Sequence, residues 1–130
     1  MKLEVGMYVR GKYYQYRGKI GKIIKNYNND LEIAYKDGIL KTNVGSFIDD
    51  NYDINGKQYK ASFNIIDILE VGDYVNGFEI LRIDKECDLY PKTLKCQYPN
   101  NIDYFNIFNE DIKSVITHEQ MEQMAYRVGE

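Results

Sequence analysis

A chain of 130 residues, 44 % hydrophobic and 28 % charged, has the composition of a globular protein and excludes a disordered one. Its length suits one compact domain or two very small modules, and no apolar run approaches the roughly 20 residues of a membrane span. The formal net charge of −3 conceals an asymmetry, because residues 1–25 hold seven cations against Glu4 alone and the remainder is strongly acidic.

The first element is Leu3-Glu4-Val5-Gly6-Met7-Tyr8-Val9-Arg10-Gly11. It returns as Leu69-Glu70-Val71-Gly72-Asp73-Tyr74-Val75-Asn76-Gly77, and only Met7/Asp73 and Arg10/Asn76 differ. Alternation makes each copy a strand with Val5, Met7 and Val9, or their counterparts, on one face. A polar, aromatic loop with a glycine at each end follows the first copy, Gly11 to Gly18. Lys19 to Lys25 then reads as a strand, Asn26 to Asp30 as a turn, and Leu31 to Tyr35 as a second strand. Asp37-Gly38 signals a hairpin into Ile39 to Val44. Gly45 to Tyr59 is less regular, with Asn55-Gly56 a further hairpin signal, and Phe63 to Ile68 closes the first half.

The second copy restarts this order. Val71 to Val75, an Asn76-Gly77 turn and Phe78 to Ile83 predict a compact hairpin. Lys85 to Leu89 and Leu94 to Tyr98 are expected to pair around Pro91-Lys92, which sets Cys87 opposite Cys96 and Asp88 opposite Lys95. Phe105 to Phe108 and Ile112 to Ile116 follow. Thr117-His118-Glu119-Gln120 fits a capping box and opens a short helix from Glu119 to about Met124. Tyr126 to Val128 returns as a final strand. The expected fold is all-β with one short C-terminal helix: two SH3-like small-barrel halves, residues 1–68 and 69–130, related by the internal repeat and packed as one unit. Fold alone does not determine function.

Chemistry is sparsely supplied. His118 is the single histidine, and two cysteines with one histidine fall short of a four-ligand zinc site. Nothing in the spacing brings Cys87 or Cys96 to His118 with an orienting carboxylate. Gly18-Lys19-Ile20-Gly21-Lys22 lacks the phosphate-loop spacing. We therefore expect a protein that is not an enzyme and holds no cofactor or metal, and two binding surfaces compete. Asp49, Asp50, Tyr52, Asp53, Asp103 and Tyr104 form an acidic, aromatic set suited to an Arg- or Lys-lined groove. Arg10, Lys12, Tyr14, Tyr16, Arg17 and Lys22 interleave cations with rings, as single-stranded nucleic acid requires. Against the second stands a pI near 5.2. The Tyr-rich, basic start is no signal peptide, so a cytoplasmic protein without membrane partners is expected.

At Val5 to Arg10, Lys19 to Ile23, Asn64 to Gly77 and Ile116 to Gln120, the chain resembles small proteins encoded by phages and prophages of low-GC Gram-positive bacteria. The resemblance covers nearly the whole chain, rests on strand and turn features, and carries over no catalytic or binding residue. Some proteins of that size and setting are anti-CRISPR or other anti-defence inhibitors that act by stoichiometric binding. It implies a partner that is a host defence protein or nucleoprotein complex, such as a CRISPR effector nuclease, met in the bacterial cytoplasm.

Overall fold

The computed structural model describes residues 2–11, 16–50, 59–98 and 103–124, with the backbone alone at 49 and 50. The chain divides into two compact units, Met1–Ile68 and Leu69–Glu130. Both are built on antiparallel sheets, and the protein is mainly β.

The first unit carries β1 (Tyr8–Arg10), β2 (Ile20–Tyr27), β3 (Asp30–Tyr35), β4 (Gly38–Asn43), α1 (Val44–Asp50) and β5 (Lys60–Ser62), then a 3-10 turn at Ile65–Ile68. Its sheet runs β4-β3-β2-β1-β5. Alternation drives Val9, Ile23, Leu31 and Ile33 inward, where they meet Leu3, Met7, Phe47 and Tyr59 in one buried cluster. The β2–β3 hairpin turns on Asn28 and Asn29, both at positive φ, a conformation that Asn tolerates. Gly21 in β2 sits under β3: a Cβ there would lie 2.5 Å from Ile33 Cγ2 and 2.8 Å from the Tyr35 ring. Gly21→Ala is accordingly expected to cost about 1–3 kcal/mol by overpacking, read as a lowered urea midpoint with an unchanged slope.

The irregular stretch expected after the fourth strand begins instead as α1. Asn43 Oδ1 accepts the Ser46 N–H at 2.8 Å, an N-cap bond, and Phe47 is buried at 1 % exposure. Gly45 and the shortness of the helix, seven residues, hide it from a periodicity test. The Asn55-Gly56 signal lies outside the described residues.

The second unit carries β6 (Tyr74–Val75), β7 (Phe78–Asp84), β8 (Thr93–Gln97), β9 (Tyr104–Ile107), a 3-10 turn at Asn109–Asp111, β10 (Val115–Ile116) and α2 (His118–Met124). Its sheet runs β10-β6-β7-β8-β9. Ile80, Leu94, Cys96 and Ile107 are buried, and Phe78, Tyr98 and Phe105 form an aromatic cluster with centroids 4.4–6.2 Å apart. The Asn76-Gly77 turn has both residues at positive φ. Tyr126 to Val128 lies outside the described residues.

One hairpin differs from expectation. Asp84 pairs with Thr93 and Ile83 with Leu94, so Cys96 faces Ile80 and Phe105 rather than Cys87. Cys87 instead closes its own tight turn with Tyr90, exchanging two backbone hydrogen bonds of 2.9 and 3.2 Å. β7 ends at Asp84, the Cys87–Tyr90 turn takes up the segment expected as a strand, and Pro91, with no N–H to give a ladder, stays outside β8. Lys95 consequently stands near Asp84 (3.9 Å), not Asp88. Cys87 is an exposed thiol and Cys96 a buried one, whose burial pushes its pKa up.

The two nine-residue copies fold alike. Gly6 N–H donates to Ile23 O at 2.8 Å and Gly72 N–H to Ile80 O at 2.9 Å. Met7 N–H reaches Glu4 O, and Asp73 N–H reaches Glu70 O, each at 3.1 Å. Gly6 and Gly72 have φ of 96° and 95°, a region closed to most side chains, which explains why both copies keep glycine there.

Candidate functional site

Two features of the Leu69–Glu130 unit gather polar chemistry. The first surrounds the start of α2. Thr117 and Gln120 close a capping box: Thr117 N–H donates to Gln120 Oε1 at 2.9 Å, and Gln120 N–H to Thr117 Oγ1 at 3.2 Å. This box leaves the His118 N–H to Asp73. The Asp73 carboxylate, fully buried, accepts Glu70 N–H at 2.7 Å on one oxygen and His118 N–H at 2.9 Å on the other. One side chain thus joins the turn before β6 to the first turn of the helix. On the pair it joins, His118 Nε2 lies 2.9 Å from Glu70 Oε1 and 3.1 Å from Glu119 Oε1. Glu119 is 2 % exposed, and the three ligand-type atoms all lie within 4.8 Å of one another.

The second feature is the outer face of β7, β8 and β9. Register places Arg82 beside Lys95, and Lys95 beside Asn106, while Gln97 pairs with Tyr104. The β-bulge between Ile80 and Arg82 turns Leu81 outward as well, to 37 % exposure. Leu81, Arg82, Lys95 and Tyr104 line a hollow of about 380 Å³. Arg82 is held by Asp84, with its Nε donating to Oδ1 at 2.8 Å. Tyr104 is 60 % exposed, and Asp103 beside it is exposed too.

No family model, curated protein or solved structure matches this chain. The site rests on geometry alone.

Of the acidic, aromatic set, Tyr104 opens the edge strand β9 and Asp103 directly precedes it, both on the surface. Tyr52 and Asp53 lie outside the described residues, as do the side chains of Asp49 and Asp50 in α1. Tyr104 stands among cations as much as acids, so the face is mixed in sign. Among the described residues the basic set is divided between interior and surface. Arg10 is fully buried and its Nη1 donates to the Ile68 carbonyl at 3.1 Å. It closes the end of a 3-10 turn, where a cation meets the carbonyl dipoles. Tyr16 is also buried: backbone bonds join Gly11 to Gly18 and Lys19, and the Tyr16 ring packs on Tyr35 and Phe47 with centroids 6.4 Å apart. Burial, then Tyr16 and Asp37, push the Tyr35 hydroxyl above its ordinary value.

Lys22 is exposed and sits 5.3 Å above the Tyr8 ring, and Arg17 is exposed. The neighbouring cations Lys19 and Lys25 pair with Asp37 (3.7 Å) and Glu32 (3.4 Å), which weakens the local positive field. Lys12 and Tyr14 lie outside the described residues. No helix among the described residues is long and apolar enough to cross a membrane.

The cluster at Glu70, His118 and Glu119 was not read from the sequence. A search for zinc ligands counts cysteines and histidines, and the partner carboxylate lies 48 positions from His118. The available signal was an adjacent His-Glu pair at a capped helix start, with Glu70 held in the repeated segment.

Proposed function

We propose that this chain is a non-catalytic binding protein built from two copies of one SH3-like module, and that it inhibits a bacterial defence complex by stoichiometric contact. Two observations support the duplication. Counted in chain order within each unit, both sheets place the fifth strand beside the first, then the second, third and fourth. The repeated turns also make the same hydrogen bonds.

The observation that carries the binding reading is the outer face of β7–β8–β9. It presents Tyr104 at 60 % exposure with Leu81, Arg82 and Lys95 around a hollow, on a hydrogen-bonded sheet that loses little entropy on docking. Tyr and Arg are the residues that most often concentrate interface energy. The choice of a defence complex, CRISPR effectors included, follows from the resemblance to phage and prophage proteins. The nucleic-acid alternative has lost Arg10 and Tyr16 to the interior of the first unit.

Capture of the tagged protein's partners from bacterial host lysate, with and without nuclease, tests this reading. The expected result is a stoichiometric protein partner that survives nuclease treatment. Tyr104→Ala with Asp103→Lys should then weaken binding by at least tenfold, the effect of losing one central anchor of about 2 kcal/mol. Undiminished binding by that folded double variant would remove the face. Recovery of nucleic acid alone, lost in moderate salt, would return the function to the basic segment.

A further inference from the structure

We propose that Glu70, His118 and Glu119 bind one divalent transition-metal ion, zinc being the first candidate, which clasps the start of α2 to the turn before β6. Three independent observations support it.

The spacing fits. Zinc holds nitrogen and oxygen ligands at about 2.0–2.2 Å, so neighbouring ligand atoms of a tetrahedral site stand roughly 3.3 Å apart. His118 Nε2 is 2.9 and 3.1 Å from the two carboxylate oxygens, and all three atoms fall within 4.8 Å. An ion enters by taking the place of a proton at His118 Nε2, which leaves to solvent, and by widening the two His118–carboxylate gaps by a few tenths of an ångström. One imidazole and two carboxylates suit borderline ions such as zinc, cobalt or nickel, whereas calcium and magnesium favour oxygen throughout. The two carboxylates balance the ion's charge, and Glu119, at 2 % exposure, holds its oxygen beside His118 away from solvent. The His118 and Glu70 side chains keep 35 % and 21 % exposure, which leaves an entry path and room for a water ligand.

The ligands are held by groups outside the ligand set. Asp73 fixes the backbone of Glu70 and His118, and the Thr117–Gln120 box fixes the helical turn bearing His118 and Glu119. Such outer support orients metal ligands and raises affinity.

The turn does not need the cluster for its own sake. In the first unit the same turn, with Gly6 at the same φ, is covered by Phe63: its ring lies 3.6 Å from where a Cβ on Gly6 would stand. At Gly72 the matching position is covered, also at 3.6 Å, by His118 Cβ. One copy covers its glycine with an aromatic ring, the other with a histidine flanked by two carboxylates.

The test is calorimetric titration of zinc chloride into the untagged full chain carrying Cys87→Ser, since the exposed Cys87 thiol is itself a zinc ligand. One ion per chain is expected, with a dissociation constant of roughly micromolar or tighter. His118→Ala and Glu70→Gln should each weaken it by about tenfold or more, with unchanged circular dichroism in the metal-free state. Glu70→Gln keeps the Glu70 N–H that Asp73 holds, so it serves if His118→Ala unfolds. Cobalt in place of zinc should give weak visible bands of a nitrogen and oxygen site, with no thiolate charge-transfer band. No binding at about 100 µM zinc, or binding that both variants leave unchanged, would overturn the proposal.

Discussion

Asp73→Ala should destabilise the Leu69–Glu130 unit by about 3–4 kcal/mol. The carboxylate is fully buried and accepts two backbone N–H groups, from Glu70 and His118, that lie on different elements. Each donor left without a partner costs about 1–3 kcal/mol, far more than the net gain of an ordinary hydrogen bond. Losing both places this substitution above the range of most point mutations, about 0.5–3 kcal/mol. The more telling variant is Asp73→Met, which installs the residue that the first copy carries at the corresponding position. Met7 packs into the apolar cluster of the first unit. At position 73 a methionine would fill the volume and still leave both N–H groups unmet, so it is expected to be as damaging as alanine. Urea unfolding measures the loss, and faster hydrogen exchange at the Glu70 and His118 amides locates it. A cost below about 1 kcal/mol for both variants would mean that the clamp contributes little and that the helix is held by packing alone.

The parts of this protein legible in its sequence are those written in short-range chemistry. The strands of the Tyr8–Asn43 region follow from alternation, and their turns from Asn28-Asn29 and Asp37-Gly38. The Asn76-Gly77 hairpin and the Thr117–Gln120 box each depend on residues a few positions apart, and both occur where their motifs fall. Misreadings arise where a competing preference acts. Around Cys87 a locally closed turn and Pro91 displaced the register by several residues, which separated two cysteines that a symmetric hairpin would have faced. α1 was hidden because its one strong apolar anchor, Phe47, is enclosed by Gly45, Ser46 and two aspartates. The candidate sites were harder to read than the fold. Whether Arg10 faces solvent depends on a carbonyl 58 residues away, and the His118 cluster on a glutamate 48 residues away. Charge counting along the chain treats a buried guanidinium and a solvated one as equals.

That distinction makes Arg10 the residue on which the nucleic-acid reading is most directly decided. Arg10→Ala is expected to cost about 3 kcal/mol of stability. It removes a long side chain at 0 % exposure, leaves a cavity beside β1 and deprives the Ile68 carbonyl of its donor. Arg10→Lys keeps the charge but loses the planar fork, so it should recover only part of that loss. Lys22→Ala, which removes an exposed cation resting on Tyr8, should cost no more than about 1 kcal/mol. The two readings of the basic segment therefore predict opposite patterns in one pair of measurements. If Arg10 meets phosphate, its alanine variant keeps its urea midpoint and loses affinity for single-stranded nucleic acid, with a shallower salt dependence. If Arg10 is a strut, the midpoint falls while Lys22→Ala stays near the parent. The geometry favours the strut, and the repeat gives the reason. Position 10 corresponds to Asn76, whose side chain donates to the Asp111 carbonyl at 2.9 Å and accepts the Lys113 and Ser114 N–H groups at 2.8 and 3.1 Å. At both differing positions of an otherwise shared nine-residue segment the side chain thus ties its copy to its own unit, by apolar packing at Met7 and by hydrogen bonds at Asp73, Arg10 and Asn76, and a surface role for Arg10 would remove one of the first copy's two ties.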